Sequence, residues 1–374
     1  MKRAFKRQAG LEVPRAERRS APGLAALYGL GSATTPAGIK DISTTGIYLF
    51  TERRLSTGEL ITLMLQEEGK PESSSELQIS VRAQVARQGE DGIGLSFVLP
   101  QGLSFDLWGV LVRNIVVLTN RDQIAEMFRT LHTILFLCRL CQSEAEEAIL
   151  LVSGQRDPDR TETLVKIALA AENQLAAKPD GDRMRAHPKL LANILRGGSW
   201  TPDELNQQLW TGLLVSSCSV DAPDDSNQIF ADLLVHITPI QAKIFVLACE
   251  RALGSAPGAE NSPAGSVVLT SKEMVELTGV HDLYRNATDL AYLFNLGLIE
   301  KVFDFSWYQD AESFDITPSR LGLELYKHCH GSREKLEQHL VDSANDHLSN
   351  FFPPPLPSIW DDESLPPQPS SSGS

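Results

Sequence analysis

This chain is short of cysteine, of long apolar runs and of positive charge, and each shortage excludes something. Five cysteines in 374 residues are too few for a disulfide scaffold and suit a reducing compartment. No apolar run approaches the ~20 residues needed to cross a bilayer. Lys2, Arg3, Lys6 and Arg7 open the chain without an apolar stretch behind them, so no secretory signal is read and a cytoplasmic protein is expected. With 34 Lys and Arg against 48 Asp and Glu, the net charge of −14 argues against broad binding to nucleic acid or to an anionic membrane, both of which need a basic face. Also missing are a nucleophile elbow, a glycine-rich phosphate loop with its lysine, and the metalloprotease helix motif. Asp224-Asp225 and Asp361-Asp362-Glu363 read as solvated turn and tail, so the chain is not read as an enzyme.

What is present is enough for more than one core. Domains usually hold roughly 100–200 residues, and 42% hydrophobic with 22% charged residues is an ordinary globular balance. From about residue 39 to 98 the runs are strand-like: Ile39-Lys40-Asp41-Ile42, Gly46-Ile47-Tyr48-Leu49-Phe50, Leu60-Ile61-Thr62-Leu63-Met64-Leu65 and Gly94-Leu95-Ser96-Phe97-Val98. Between them Leu77, Ile79, Val81, Ala83 and Val85 alternate with Gln78, Ser80, Arg82 and Gln84, the period of a half-buried strand. Short runs closely spaced by Gly, Ser and Pro point to a small antiparallel barrel.

After about Thr119 the period becomes helical, with Ile124, Met127, Phe128, Leu131, Ile134, Leu135, Cys138 and Cys141 three and four apart. Further helices are expected at 160–178, 189–195, 202–218, 239–253 and 283–296. Thr201-Pro202-Asp203-Glu204 and Thr238-Pro239-Ile240-Gln241 each offer a hydroxyl cap, a first-turn proline and an acid or amide three residues on. Beyond the Gly, Ala, Pro and Ser of 254–265, helices at 270–278 and 284–296, strands at 299–305 and 313–316, and a helix capped by Thr317-Pro318 follow in winged-helix order. The prolines and serines from Pro353 onward cannot bury a core. The expected fold class is therefore multidomain α+β: a basic arm at 1–20, a small antiparallel β-barrel at 21–118, an all-α region at 119–253, a winged-helix-like unit at 266–350 and a disordered tail at 351–374.

The candidate site is the turn Asp41-Ile42-Ser43-Thr44-Thr45-Gly46 together with an arm carrying Arg15, Arg18 and Arg19. The first twenty residues hold seven Lys and Arg against Glu12 and Glu17, enough to capture one small anion. An arginine fork pairs with phosphate oxygens, or with guanine O6 and N7 while stacking on the base. Asp41 can accept from guanine N–H groups or orient an arginine, Ser43 can add a hydroxyl contact, and Gly46 allows close backbone approach or a positive φ.

Asp41-Ile42-Ser43-Thr44-Thr45-Gly46 resembles the DxSxxG signature of PilZ domains, and Gly92-Ile93-Gly94-Leu95-Ser96-Phe97 is similar to that family's late glycine-rich strand. Arg15 and Arg19 fit the family's RxxxR arm. In the alternative register, an Arg-Arg pair followed by a third arginine four residues later, Arg18-Arg19 leads to Gly23 instead. The resemblance implies a six-stranded barrel that binds cyclic di-GMP through Arg15, Arg18, Arg19, Asp41, Ser43 and Gly46, without cofactor or metal. It also implies a signalling role, with the helical region relaying to an unidentified protein partner or to a second copy of the chain.

The stretch from His187 to Phe245, with Trp200 and Trp210-Thr211-Gly212-Leu213-Leu214, resembles abortive-infection alpha helical domains, as does Leu293-Phe294-Asn295-Leu296-Gly297-Leu298-Ile299 leading to Ile316-Thr317-Pro318 and Gly322. That resemblance implies architecture and a defence context; a scaffold with a degenerate barrel is the alternative to a receptor. The helix at 284–296 offers Arg285 against Asp282 and Asp289, and its Leu290, Leu293 and Phe294 read as core, so DNA is not the expected partner. Cys138 and Cys141 read as helix packing rather than a metal pair. His328-Cys329-His330 point three ways from one helix and cannot share an ion.

Overall fold

The computed structural model describes residues 18–21, 24–30, 33–67, 78–105, 107–110, 112, 121–142, 145–153, 157–221, 225–254, 266–300 and 313–330. Arg15, Gly23, most of the arm, the stretch 301–312 and the tail lie outside the described residues.

Six strands close into a barrel: β1 (Leu24–Leu30), β2 (Ala33–Ile42), β3 (Gly46–Phe50), β4 (Leu60–Glu67), β5 (Gln78–Gln88) and β6 (Gly92–Val98). Their order around the wall is β1-β2-β3-β6-β5-β4, every pair antiparallel, with β4 returning to β1. Closure removes the open edges that a short sheet of this kind would otherwise present. The alternation expected for β5 holds: Ile79, Val81, Ala83 and Val85 are buried, while Ser80, Arg82 and Gln84 face out. β1 was not read as a strand, because Leu24-Ala25-Ala26-Leu27 is as good a helix sequence as a strand one. Its pairing with β2 and β4 makes it strand. Inside, Trp108 is fully buried and meets the Phe97 ring edge-on, with centroids 5.2 Å apart.

The helices follow: α1 (Arg121–Cys141), α2 (Glu146–Ser153), α3 (Pro158–Ala176), α4 (Pro188–Gly198), α5 (Glu204–Ser216), α6 (Gln228–Val235), α7 (Pro239–Gly254), α8 (Ser271–Thr278), α9 (Leu283–Asn295) and α10 (Arg320–His330). At α7 the expected reciprocal cap forms, Gln241 N donating to Thr238 Oγ1 and Thr238 N to Gln241 Oε1. At α5 it does not. Pro202 holds Thr201 away from helical backbone, and Asp203, two residues closer to the apolar run, caps Asn206 N instead. Ser319 likewise displaces Thr317 at α10: its Oγ receives Gly322 N, while Thr317 Oγ1 accepts from Val267 N. Strands β7 (Arg185–Ala186) and β8 (Cys218–Ser219) form one small pair, β9 (Val268–Thr270) and β10 (Ser313–Asp315) another.

Two close fits hold the helical part and tie it to the barrel. Gly212 in α5 lies against α10 so tightly that a Cβ there would fall 1.5 Å from the Cys329 carbonyl oxygen. On α1, which packs on β5, His132 has both ring nitrogens at acceptors: Nδ1 is 2.9 Å from the Gln78 carbonyl of β5 and Nε2 2.7 Å from Glu172 Oε2 of α3. Two acceptors call for two N–H groups, the imidazolium form. Burial is the largest single influence and works against that charge, but the bond to Glu172, its negative charge and the Gln78 carbonyl together outweigh it, and the His132 pKa is raised. Arg139, whose Nη2 is 3.8 Å from Glu172 Oε1 and whose Nη1 is 2.8 Å from Asp182 Oδ1, is the other charge at this junction.

Gly212→Ala is expected to lower stability by about 1–3 kcal/mol through overpacking against backbone, although alanine is intrinsically the better helix former by ~1 kcal/mol; urea unfolding measures the sign. Because the folded pKa of His132 is raised, its contribution is fully present below the unfolded value of 6.5 and is lost as pH rises through the folded value. His132→Gln should abolish that slope and cost roughly 1–3 kcal/mol at pH 6, read from unfolding curves between acid and neutral pH.

Candidate functional site

Asp41 and Ile42 end β2, and Gly46 starts β3, so three residues carry the chain from one strand to the next. Ser43 closes the turn twice over, its backbone N donating to the Gly46 carbonyl at 2.8 Å and its Oγ to the same oxygen at 3.1 Å. Ser43 is buried, its proton committed to the turn. Gly46 has no left-handed φ; what demands glycine is β6, because a Cβ at residue 46 would lie 2.2 Å from the Leu95 carbonyl oxygen. The turn is pulled further onto β6 by Phe97 N, which donates to Thr45 O at 3.0 Å.

The arm reaches the same place. Arg19 and Ile42 exchange two backbone hydrogen bonds, 3.0 and 2.9 Å, an isolated antiparallel bridge. Its neighbour Arg18 sends Nη1 to Asp41 Oδ1 at 2.7 Å. Arg18, Arg19, Asp41, Ser43 and Gly46 are thus brought together, while Arg15 lies outside the described residues. Arg18 and Asp41 stay 46% and 25% exposed, so the pair contributes about 0–1 kcal/mol to stability and is free to exchange partners.

Next to the turn is a group of side chains that the strand pattern alone did not single out. A bulge at Lys40 puts Asp41 opposite Tyr48, and Tyr48 opposite Gly94. The Tyr48 phenol donates to Asp91 Oδ1 at 2.7 Å, and Lys40 Nζ holds Asp91 Oδ2 at 2.7 Å. Lys40 also sits 5.0 Å from the Tyr48 ring centre, and the Arg87 guanidinium 5.4 Å from it on its own side. The bond from Lys40, then that from Tyr48, lowers the Asp91 pKa, and the same contact with Asp91 raises those of Lys40 and Tyr48. Arg54 reaches the Gly89 carbonyl nearby. In a chain of net charge −14, this face gathers Arg18, Lys40, Arg54 and Arg87 around two carboxylates, Asp41 and Asp91. The sequence signal for Tyr48 was its spacing: two residues after Gly46, it shares that residue's outer face.

An arm bridged to a DxSxxG turn on a six-stranded barrel fits one family. Residues 13–104 match the PilZ domain model. The same chain matches the abortive infection alpha model over residues 161–341. No curated protein matches the chain. The PilZ match takes in the arm from Arg15 and all six strands. The abortive infection alpha match begins inside α3 and includes the Gly212 contact with α10.

Elsewhere, the sites set aside in the sequence have packing accounts. Cys138 and Cys141 are buried, and burial pushes the Cys138 thiol up to about 12; Cys141 Sγ donates to the Ala186 carbonyl. His328 stacks on Phe230, His330 on Tyr326, and Cys329 is buried between them against α5. Among the described residues, no three His, Cys, Asp or Glu side chains are grouped to hold a metal, and no helix is long and apolar enough to cross a membrane. Phe294, expected in the core of α9, is 43% exposed, because α9 buries Asn286, Ala287, Leu290 and Leu293 and turns residue 294 to the far side.

Gly46→Val is expected to destabilise the barrel by about 1–3 kcal/mol, since the Leu95 backbone must retreat. Arg18→Ala should change stability by less than about 1 kcal/mol. Thermal unfolding of the two variants against the unaltered protein measures both.

Proposed function

We propose that the PilZ barrel is a receptor for cyclic di-GMP and that the helical region passes the bound state to a protein partner. The observation that carries this reading is the seating of the arm on the turn, with Arg18 held 2.7 Å from Asp41 and Arg19 bridged to Ile42. That arrangement supplies a guanidinium already positioned by a carboxylate, beside a second arginine on the same strand bridge. A phosphate, or the O6 and N7 edge of guanine, can take the guanidinium, and Asp41 can then accept from guanine N1–H and N2–H. The ligand is held and released unchanged, so the role is binding rather than catalysis. Binding that orders the arm favours whichever barrel state the arm contacts, which is how a ligand shifts an equilibrium.

The reading extends to Arg15 and to the remainder of the arm as ligand contacts, in the cytoplasm of a bacterial cell. The unit formed by β9, α8, α9 and β10 is read as winged-helix-like and as a contact surface for protein, or for a second copy, rather than DNA. Arg285 is the single Lys or Arg in α9, whose exposed side chains include Tyr284, Tyr292 and Phe294. Those aromatics and Gly23 favour the second reading, a protein-interaction scaffold, defence-related, whose barrel no longer binds nucleotide.

Isothermal calorimetry with cyclic di-GMP separates the two. The receptor reading expects saturable heat from the unaltered protein and its loss in Asp41→Ala and Arg19→Ala. Absence of heat at high micromolar nucleotide, together with a partner captured equally well by the unaltered protein and by Arg19→Ala, sinks the receptor and supports the scaffold.

A further inference from the structure

Across the outer wall of the barrel, one row of directly paired residues runs Asp41 of β2, Tyr48 of β3, Gly94 of β6 and Arg87 of β5. Both irregularities of the wall fall on this row, one between Ile39 and Asp41 and one between Val85 and Arg87. The second gives β5 an extra residue, Ala86, so that Arg87 faces out beside Gly94 instead of inward. Gly94 leaves the space that the arginine stem fills: a Cβ there would lie 2.8 Å from Arg87 Cγ and 3.0 Å from Nε. The guanidinium is thereby laid over the Tyr48 ring, 5.4 Å from its centre. Tyr48 itself is fixed from below by Asp91 and from the other side by Lys40.

The neighbouring cations already have protein acceptors: Arg18 has Asp41, Lys40 has Asp91, and Arg54 has the Gly89 carbonyl. Among the described residues Arg87 has a ring contact and no hydrogen bond or ion pair, and it is exposed. An arginine offers five N–H donors in a planar fork. Strands are about 4.8 Å apart, so the Cα of Arg87 is three spacings, roughly 14 Å, from that of Asp41, and the side chain spans part of that gap. A cyclic dinucleotide has two guanines and two phosphates to be held, and Arg18 with Asp41 accounts for one end of it.

We propose that Arg87 is a further contact of the dinucleotide, gripping a phosphate or guanine edge from the β5 side with Tyr48 as the floor between. This rests on the receptor reading above. Its test is calorimetry on the full chain with cyclic di-GMP as the probe. Arg87→Ala should weaken binding about ten- to a hundredfold, the range of one bidentate arginine contact, while Arg87→Lys, which cannot form the fork, recovers only part. The unfolding temperature of Arg87→Ala should move by no more than about 4 °C, since an exposed cation–π contact is worth ~1 kcal/mol or less. Arg87→Ala that binds as tightly as the unaltered protein overturns this inference and leaves the receptor reading standing. No binding by the unaltered protein overturns both.

Discussion

The two backbone hydrogen bonds between Arg19 and Ile42 are the constraint on which the site depends. They fix where the arm crosses the end of β2, and so they decide that Arg18, rather than a more distant arginine, meets Asp41. Backbone bonds are indifferent to side-chain identity, so Arg19 keeps its place whatever the guanidinium beside it is doing. A side chain released from Asp41 to a ligand can therefore move without the chain that carries it coming loose. Ser43 and Gly46 serve the same end from the other side, Ser43 closing the turn and Gly46 letting it sit flat on β6.

Strand β5 connects the two halves of the molecule. Its first residue, Gln78, gives its carbonyl to His132 of α1, and near its far end Arg87 lies over Tyr48. Nine residues at about 3.3 Å each place these points roughly 30 Å apart along one stretch of backbone. The His132 junction joins three elements, β5, α1 and α3, through one ring and one carboxylate. A ring hydrogen-bonded to a carbonyl on one side and a carboxylate on the other tolerates little change of angle, which gives the barrel a directional connection to the helical part.

Much of the barrel could be read from residue alternation, because strands with one face in a core must repeat every two residues. Leu24–Leu30 escaped, since Leu and Ala satisfy a helix equally well and only the partners Ala33–Ile42 and Leu60–Glu67 decide for strand. The turn was legible in its residue types: Asp41, Ser43 and Gly46 have few uses together. Tyr48 could have been found from its spacing after Gly46, but Lys40 and Arg87 were not legible, because a bulge changes which residues share a face and nothing in the local sequence announces one. Helix starts were legible as regions, and the capping residue only where a single candidate competed: Thr238 had no rival, whereas Thr201 lost to Asp203.

The contact of Gly212 with the Cys329 carbonyl joins two helices more than a hundred residues apart in the chain. Until residue 329 has left the ribosome, the face of α5 that receives it has nothing to cover it, though the barrel, whose strands are complete by Val98, is local enough to form long before. The chain is therefore made as a finished β-barrel trailing an unfinished helical core. For the interval in between, the N-terminal domain has to keep itself soluble while α5 waits for α10.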